Sequence, residues 1–405
     1  MSSVIFITTL PLWSLGKKMG GPAFSNTVNK YIAEGWDVYV ISDENANIGY
    51  DGLEQENNVL VTESLFKKYL QVKKIGAIFR FLNHKVQTYK YFRAGKQIIT
   101  YIKSDCILYA YEVAGVDACR KLSRKYGIPL VTRFQGTVLS QYRENLFNRI
   151  ARYPAYNALE TEADLVIMTD DGTQGDRVLD ELNNNSRRLF VKNGLDLLDK
   201  IDIDKIDGDE IKLRYNIGKN EMMFLTVSRL TGWKKVERAI NGFKSFLELG
   251  GNGKLIIVGD GDKKQELELL AETYQIQKKV VFTGAVEHEQ VYSYMKACDV
   301  FLSLYDLSNV GNPLLEALTL GCAIITLDVG DTNKVINGEN GILLEEEELD
   351  ILGRKMYELC MNRDLKNRYQ QGAREYAKKN LYSWTERMNL EFKEVLKLLE
   401  TKENR

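Results

Sequence analysis

The stretch that decides the fold class runs from Met223 to Asp262, "MFLTVSRLTGWKKVERAINGFKSFLELGGNGKLIIVGDGD". It opens with a continuous apolar run, which is typical of a strand buried on both faces. An amphipathic helical pattern follows, and a second apolar run, "KLIIVG", closes the stretch. A strand, a helix and a strand in this order predict two parallel strands joined by a crossover helix.

The same alternation extends in both directions. Further strands are predicted at "VVFTGAV", "VFLSLYD" and "CAIITLDVG", and in the first half at "VIFITT", "DVYVIS", "CILYAYE", "IPLVTRF", "ADLVIMTD" and "RRLFVKNG". The polar, acidic stretch "LLDKIDIDKIDGDEIK" is predicted to be a linker between the halves. We therefore predict an α/β chain with two doubly wound, Rossmann-like parallel-sheet domains, at residues 1–197 and 198–377, facing across a ligand-binding cleft. One more amphipathic helix is predicted within 378–405.

The length, net charge and cysteine content of the chain exclude several classes of protein. The 405 residues are enough for two domains of ordinary size, and the formal net charge of −1 excludes a global attraction to nucleic acid. The five cysteines contain no CxxC and predict a reduced, cytosolic protein. The N-terminal lysines follow the apolar run, so that run is predicted to be a strand and not a signal peptide. We predict a cytoplasmic location.

Candidate anion-binding residues follow the predicted strands. In "VSRLTGWKK", Arg229 lies just past a strand and Lys234 opens the next helix, an arrangement that can hold a diphosphate. Solvated surface charge is the alternative for such a pair. The pair Gly20 and Gly21 could let backbone approach a phosphate, although most such pairs are turns. In "IVGDGD", Gly259 and Gly261 could border a nucleotide, but Lys264 occupies the position that a dinucleotide fingerprint requires for glycine.

A single Glu interrupts the apolar helix predicted in "SNVGNPLLEALTLG", from Ser308 to Gly321. Asn312 is predicted to cap that helix, with Pro313 at its first position and Gly321 as its stop. Glu316 lies too far along for a capping box. A surface carboxylate favoured by the helix dipole is the alternative to a ligand-binding role.

In its order of motifs, the chain resembles the retaining family 4 glycosyltransferases of the GT-B fold over almost its whole length. The matching pieces are Gly20-Gly21, "FQGT", "KNGLD", "SRLTGWKK", "IVGDGD", "VVFTGAV" and "NPLLEALTLG". The resemblance implies that a nucleotide sugar lies mainly on the C-terminal domain and that the last helix crosses back to the N-terminal one. It also implies that Arg229 and Lys234 hold the diphosphate and that Glu316 holds the ribose hydroxyls.

The resemblance adds further expected donor contacts around the same loops, which are Gly20, Gly21, Gly259, Gly261, Val286, Ser308, Asn309, Gly311, Asn312, Pro313 and Leu315. Two positions depart from the family pattern. The first carboxylate of the family's Glu-x7-Glu motif is Ser308 here, and Asp306 or Asn309 could take its place. The His that often precedes "GT" is Gln135, which can bond to a sugar but cannot act as a base. This agrees with the front-face displacement that the family implies, in which the leaving phosphate takes the acceptor's proton, and no metal cofactor is expected.

Residues 64–104 are basic and aromatic and contain no Asp or Glu. Their cations are Lys67, Lys68, Lys73, Lys74, Arg80, Lys85, Lys90, Arg93, Lys96 and Lys103. Such a segment predicts contact with an anionic membrane surface, while a solvated helix pair is the alternative. Nucleic acid is not expected, because no nucleic-acid motif accompanies the segment.

Together with the resemblance, which implies a retaining and metal-independent mechanism, these observations predict a glycosyltransferase that uses a UDP-linked sugar. The expected acceptor is a saccharide or a lipid-linked saccharide at the cytoplasmic face of the membrane. A catalytically inactive nucleotide-sugar-binding partner subunit is the alternative, motivated by Ser308 and Gln135. A dehydrogenase on the same type of sheet is disfavoured, because the dinucleotide fingerprint is absent.

Overall fold

The structure is a computed structural model that describes residues 2–10, 22–42, 58–60, 76–142 and 144–403. The chain forms two compact units. The first comprises Met1–Asp170, Gln174–Gly194 and Trp384–Arg405, and the second comprises Asp171–Thr173 and Leu195–Ser383. Each unit contains one parallel sheet covered by helices, so the predicted α/β fold of two Rossmann-like domains is confirmed.

The first unit is built on a seven-stranded parallel sheet in the order β3-β2-β1-β4-β5-β6-β7. Its strands are β1 (Ser3–Ile7), β2 (Asp37–Ser42), β3 (Asn58–Leu60), β4 (Cys106–Tyr111), β5 (Leu130–Phe134), β6 (Leu165–Thr169) and β7 (Arg188–Val191). Its helices are α1 (Pro22–Ala33), α2 (Gly76–Tyr101), α3 (Val113–Tyr126), α4 (Leu146–Ala151), α5 (Tyr153–Leu159), α6 (Gly175–Glu181) and α14 (Trp384–Glu403).

Both faces of this sheet are buried, which explains its continuous apolar strands. Ile5 and Leu108 point into a core shared with α2, α3 and α5. Phe6 and Tyr109 point to the opposite face, where α1 and α14 cover them. The alternation of side chains along each strand divides one apolar run between two cores.

The second unit is built on a six-stranded parallel sheet in the order β10-β9-β8-β11-β12-β13. Its strands are β8 (Met222–Val227), β9 (Gly253–Val258), β10 (Val280–Gly284), β11 (Val300–Ser303), β12 (Ala323–Leu327) and β13 (Ile342–Leu344). Its helices are α7 (Asp209–Arg214), α8 (Val236–Glu248), α9 (Lys264–Thr273), α10 (His288–Ala297), α11 (Asn312–Leu320), α12 (Leu352–Met361) and α13 (Arg363–Asn380).

The order of this second sheet reverses at β8. The chain continues from β8 to β9 on one side, and β11 later pairs with β8 on the other side. The loops that follow β8 and β11 therefore diverge and leave a crevice at the carboxyl ends of these two strands. Ligands of doubly wound sheets bind at such a reversal.

The acidic stretch predicted to be a linker belongs to the second unit, so that prediction is wrong. Leu197 and Ile211 are buried in its core, and Ile201, Ile203 and Ile206 pack against it. Short 3-10 turns and α7 place these apolar residues on one side while the acids stay exposed. The strands β3 and β13 were not predicted, because three-residue edge strands carry too little periodicity to be recognised.

A buried ion cluster ties α14 to the sheet of the first unit. Arg133 Nε on β5 donates to Glu391 Oε1 at 2.9 Å, and Arg387 Nη1 donates to Glu391 Oε2. Tyr109 Oη donates to Glu391 Oε1 at 3.0 Å. Arg133 and Arg387 are each 0% exposed and Glu391 is 4% exposed. One carboxylate therefore bridges two buried guanidinium groups and is the shared counter-charge of both.

Among the residues that the structure describes, no helix is both long enough and apolar enough to cross a membrane.

Candidate functional site

The turn between β8 and α8 presents two cations at the reversal of the second sheet. Arg229 is exposed just past β8, and Lys234 is partly buried in a 3-10 turn at Gly232–Lys234. Lys234 Nζ lies 4.1 Å from the Trp233 ring centroid and 3.7 Å from that of Tyr305. Aromatic faces attract a cation but do not neutralise it. The site therefore carries positive charge that an anion can neutralise.

The surroundings of Lys234 lower the pKa of its ammonium group. Burial lowers the pKa of Lys234, and the neighbouring Arg229 lowers it further. Asp171 acts in the opposite direction, and the pKa settles at about 7. A bound anion would reverse this shift, because opposite charge favours the protonated ammonium.

Gly259 and Gly261 bring the end of β9 against the end of β8. A Cβ on Gly259, whose φ is +135°, would lie 1.8 Å from Ser228 O. A Cβ on Gly261 would lie 2.3 Å from Leu230 O. Leu230 N donates to Asp260 O at 2.9 Å across this contact. These glycines are needed for the close approach of the two loops, which holds the Arg229 turn in place.

Glu316 is a buried carboxylate on α11, so the alternative that it is a surface carboxylate is wrong. Its side chain is 3% exposed, and its Oε1 lies 2.8 Å from His288 Nε2 at the start of α10. Burial raises the pKa of Glu316 while His288 opposes that shift, and the bond to Glu316 raises the pKa of His288. Helix packing fixes this carboxylate, and a hydroxyl-bearing ligand can use its remaining acceptor capacity.

The helix α11 begins one residue earlier than predicted. Gly311 is its N-cap, since Leu314 N and Leu315 N both donate to Gly311 O, at 3.0 and 3.2 Å. Asn312 is therefore the first helical residue and not the cap, so Pro313 occupies the second position. The predicted stop at Gly321 is confirmed.

The other expected donor contacts on α11 and after β10 are either partly buried or fully buried. Gly311, Asn312 and Pro313 are partly buried at the start of α11, and Val286 is partly buried after β10. Leu315 is 1% exposed in the core, and its N–H is bonded to Gly311 O. A donor-binding role for each of these residues stays a prediction.

Three polar residues in the loop between β11 and α11 have side-chain partners, and these residues are Asp306, Ser308 and Asn309. Asn309 is 1% exposed, accepts from Ser303 Oγ at 2.8 Å and donates to Thr326 Oγ1 at 3.0 Å. Asp306 Oδ1 lies 2.6 Å from Arg238 Nη1. Ser308 Oγ donates to Asp171 Oδ2 at 2.7 Å. Asn309 and Asp306 thus stabilise the loop, and Ser308 is paired with a carboxylate from elsewhere in the chain.

Gln135 lies in the first unit, at the carboxyl end of β5. Its backbone N–H donates to Glu112 Oε1 at 2.9 Å, and its Nε2 donates to Tyr111 Oη at 3.0 Å. Thr169 Oγ1 donates to its Oε1 at 3.3 Å. The carboxamide is thus held in one orientation. Gly20 and Gly21 lie outside the described residues.

Two residues of the site were missed by the sequence analysis, His288 and Asp171. His288 is one of only two histidines in the chain and stands at a helix start, which was a usable signal. Asp171 follows β6 in "MTDDGT", and nothing in that stretch indicates contact with Ser308. In the described part of the chain, no three or more His, Cys, Asp or Glu side chains are grouped so as to hold a metal ion.

Residues 207–376, within the second unit, match the family described as Glycosyl transferases group 1. An uncharacterized glycosyltransferase of Methanocaldococcus jannaschii is 31% identical over 207 residues, which cover 49% of this chain and 51% of that protein.

A second relative is N-acetylgalactosamine-N,N'-diacetylbacillosaminyl-diphospho-undecaprenol 4-alpha-N-acetylgalactosaminyltransferase of Campylobacter jejuni. It is 24% identical over 239 residues, which cover 58% of this chain and 62% of that protein. The chain therefore spans only about half to three fifths of the length of these relatives.

Among solved structures, Anabaena HepE in complex with UDP and glucose is similar, with a TM-score of 0.70 and 17% identity. The similarity covers 98% of this chain and 99% of that one. It shows that the two proteins share a fold.

Proposed function

We propose that the protein is a glycosyltransferase that moves a glycosyl group from a UDP-linked sugar to a saccharide or lipid-linked saccharide acceptor. The match to the glycosyl transferases group 1 family and the names of the relatives support glycosyl transfer. The observation that carries the proposal is the cation pair Arg229 and Lys234 at the reversal of the second sheet. The ammonium of Lys234 is partly desolvated and its pKa is lowered, so a bound anion would stabilise its protonated form.

The chemistry follows from where charge develops. When the bond between the sugar and the diphosphate breaks, negative charge grows on the leaving phosphate oxygen. Arg229 and Lys234 would stabilise that charge without reorganising, because the fold already positions them. Glu316 would accept hydrogen bonds from the ribose hydroxyls, and His288 would hold its carboxylate in place.

The finer features of the reaction are also proposals. We infer a retaining, metal-independent transfer in which the leaving phosphate takes the proton from the acceptor hydroxyl. The identity of residue 135 supports proton transfer to the phosphate, because the carboxamide of Gln135 can form hydrogen bonds but cannot act as a base.

Turnover of named donors tests the proposal. The full chain would be incubated with UDP-glucose, UDP-galactose, UDP-N-acetylglucosamine and GDP-mannose in the presence of EDTA. We expect UDP release from one UDP-sugar with a saccharide acceptor, and an α-linked product by NMR. Binding of UDP-sugars without any transfer or hydrolysis would instead favour the inactive partner subunit. The absence of binding to UDP and to every donor would overturn both alternatives.

Donor affinity should depend on pH around neutrality. An anionic diphosphate binds protonated Lys234 better than neutral Lys234, and the pKa of this residue in the free protein is about 7. The affinity for UDP-glucose should therefore be greatest below pH 7 and fall by up to about tenfold per pH unit above it. Isothermal titration calorimetry from pH 6 to 9 measures this, because neither phosphate of UDP-glucose titrates in that range.

The matched control is Lys234→Arg, since a guanidinium stays charged across the whole range. Its affinity for UDP-glucose should be nearly independent of pH. An unchanged slope in this variant would assign the titration to another group, such as His288.

We further propose that the first unit contacts an anionic membrane surface, which suits a lipid-linked acceptor. The helix α4 exposes Leu146, Phe147 and Ile150, by 76%, 76% and 56%. The adjacent α2 exposes Ile78 by 60%, and its cations Arg80, Arg93 and Lys96 are also exposed. Exposed apolar groups beside cations fit the boundary of an anionic lipid layer. The predicted segment also includes residues 64–75, which lie outside the described residues.

Sedimentation with phosphatidylglycerol vesicles tests this membrane contact. The variant Leu146→Ser/Phe147→Ser should partition about tenfold or more weakly than the wild type, because two apolar side chains no longer enter the lipid. The control Leu269→Ser removes a leucine of the second unit that is 62% exposed and should not alter partitioning. Equal binding by all three proteins, or equal binding to phosphatidylcholine vesicles, would contradict the proposal.

A further inference from the structure

Two neighbouring parallel strands of the first unit end side by side, and polar residues follow both of them. Tyr111 is the last residue of β4 and is in register with Arg133 on β5. Glu112 and Gln135 are the first residues beyond these two strands. Ligands of doubly wound sheets bind at the carboxyl ends of the strands, so these residues lie at the edge of the sheet where a ligand is expected.

The side chain of Gln135 is held by Tyr111. Gln135 Nε2 donates to Tyr111 Oη at 3.0 Å, and Thr169 Oγ1 on β6 donates to Gln135 Oε1 at 3.3 Å. A carboxamide has two hydrogens on its nitrogen and two lone pairs on its oxygen. These two bonds therefore fix the plane of the half-buried carboxamide and use only half of its capacity for hydrogen bonds.

Tyr111 is itself held in place by a buried charge. It is 0% exposed, Arg133 Nη1 donates to its Oη at 2.7 Å, and the Arg133 guanidinium lies 4.8 Å from the centroid of its ring. Burial raises the pKa of the Tyr111 phenol, although Arg133 opposes this shift, so the phenol stays protonated. Arg133 is bonded in turn to Glu391 of α14 at 2.9 Å. A chain of hydrogen bonds thus runs from the buried ion cluster to the carboxamide of Gln135.

Glu112 holds the backbone of Gln135 from a strained conformation. Its φ is 68° and its ψ is 169°, a region that is almost restricted to glycine. Glu112 Oε1 accepts from Gln135 N at 2.9 Å, and Glu112 N donates to Arg133 O at 2.8 Å. Such strain persists only where the surroundings enforce it, and it is concentrated at functional sites. A glycine would avoid the strain but would have no carboxylate to accept from Gln135 N.

We propose that Tyr111 and Glu112 are positioning residues that set the orientation of Gln135 for glycosyl transfer. The inference rests on the proposed function, because it assumes that Gln135 bonds to the reacting sugar. Tyr111 fixes the side chain of Gln135 and Glu112 fixes its backbone, so the carboxamide is oriented before the substrates bind. Such preorganisation raises kcat and has little effect on the binding of the nucleotide.

A matched pair of tyrosines separates positioning from stability. Tyr109 and Tyr111 lie on the same strand and are both 0% exposed, and each bonds to the buried ion cluster. Tyr109→Phe and Tyr111→Phe should lower the melting temperature to a similar extent, because each leaves a buried charged group with one hydrogen bond fewer. Only Tyr111→Phe should lower kcat, by about tenfold or more, while KM for the UDP-sugar changes by less than about threefold.

A double-mutant cycle with Gln135→Ala tests whether Tyr111 acts through Gln135. Gln135→Ala alone should lower kcat by about tenfold or more, and Tyr111→Phe should then have less than about a twofold further effect. A merely structural role of Tyr111 would lower kcat by the same factor in both backgrounds. Glu112→Gly should also lower kcat, whereas Glu112→Gln keeps a carbonyl oxygen for Gln135 N and should retain most of it.

Release of UDP from whichever UDP-sugar the wild type turns over is the readout for all variants. An unchanged kcat in Gln135→Ala would overturn this inference alone. Equal effects of Tyr109→Phe and Tyr111→Phe on kcat would do the same. The absence of turnover by the wild type with every donor would overturn the proposed function and this inference with it.

Discussion

Replacement of Lys234 by methionine is expected to lower kcat/KM for glycosyl transfer by about 100- to 1000-fold. The methionine keeps a flexible apolar side chain against Trp233 and Tyr305, so the packing of the turn should survive. What is lost is the ammonium, which under the proposed function would stabilise the leaving phosphate in surroundings where charge interactions are little screened. Steady-state kinetics with whichever UDP-sugar the wild type turns over measures this loss.

The neighbouring lysine is the matched control. Lys235 lies beside Lys234, but its Nζ is within 3.9 Å of Glu237 and 3.7 Å of Asp306, so its charge is already neutralised. Lys235→Met should change kcat/KM by less than about threefold, the ordinary effect of losing a surface ion pair. If both variants lost activity equally, the special role of Lys234 would be contradicted.

Replacement of Glu391 by glutamine is expected to lower the free energy of unfolding by about 3–5 kcal/mol. The change leaves Arg133 and Arg387 buried without a counter-charge, and unpaired buried cations are far more costly than a lost hydrogen bond. Guanidinium chloride unfolding, followed by circular dichroism, measures the difference. The glutamine retains the size of the side chain, so the effect reports charge and not a cavity.

The same helix supplies the control for Glu391. Glu394 pairs with Lys397 at 2.6 Å and with Arg187, and these partners are 42% and 41% exposed. Glu394→Gln should alter stability by less than about 1 kcal/mol. An equally small effect of Glu391→Gln would show that the buried cluster does not hold α14 to the sheet.

Acidification should destabilise the folded protein through the same cluster of Arg133, Arg387 and Glu391. Burial alone raises the pKa of Glu391, but Arg133 and Arg387 outweigh it and hold that pKa below its ordinary value. A carboxyl whose folded-state pKa is lowered contributes stability above its unfolded-state pKa and loses it as the pH falls through the folded-state value. The contribution of Glu391 is therefore present at neutral pH and is lost in acid.

Elements whose structure depends on one continuous run of residues could be predicted from the sequence. Continuous apolar strands such as β8 and β12 were predicted, because burial on both faces leaves an unmistakable pattern. The isoleucines of residues 197–212 were misjudged, because their spacing among acids follows 3-10 turns and fits neither a helix nor a strand. The edge strands β3 and β13 were too short to detect.

For the candidate site, the sequence indicated residues but not their partners. Glu316 was recognised as unusual from its place in an apolar helix, yet His288 on α10 could not be paired with it from spacing. Asp171 and Ser308 are 137 residues apart, so only the folded chain brings them together. Hydrogen bonds between distant elements leave no periodic trace in a single sequence.

The passage of the chain through Asp171–Thr173 makes the second unit a discontinuous piece of polypeptide. Cutting the gene at the obvious boundary would yield a fragment, 195–383, that retains its six strands but lacks the peptide seated against Val310. Such a fragment would have a defective loop at Ser308, and adding a synthetic peptide that spans 168–176 should repair it. Exchange of the second unit between related proteins would meet the same obstacle, because three residues of this unit lie within the sequence of the first one.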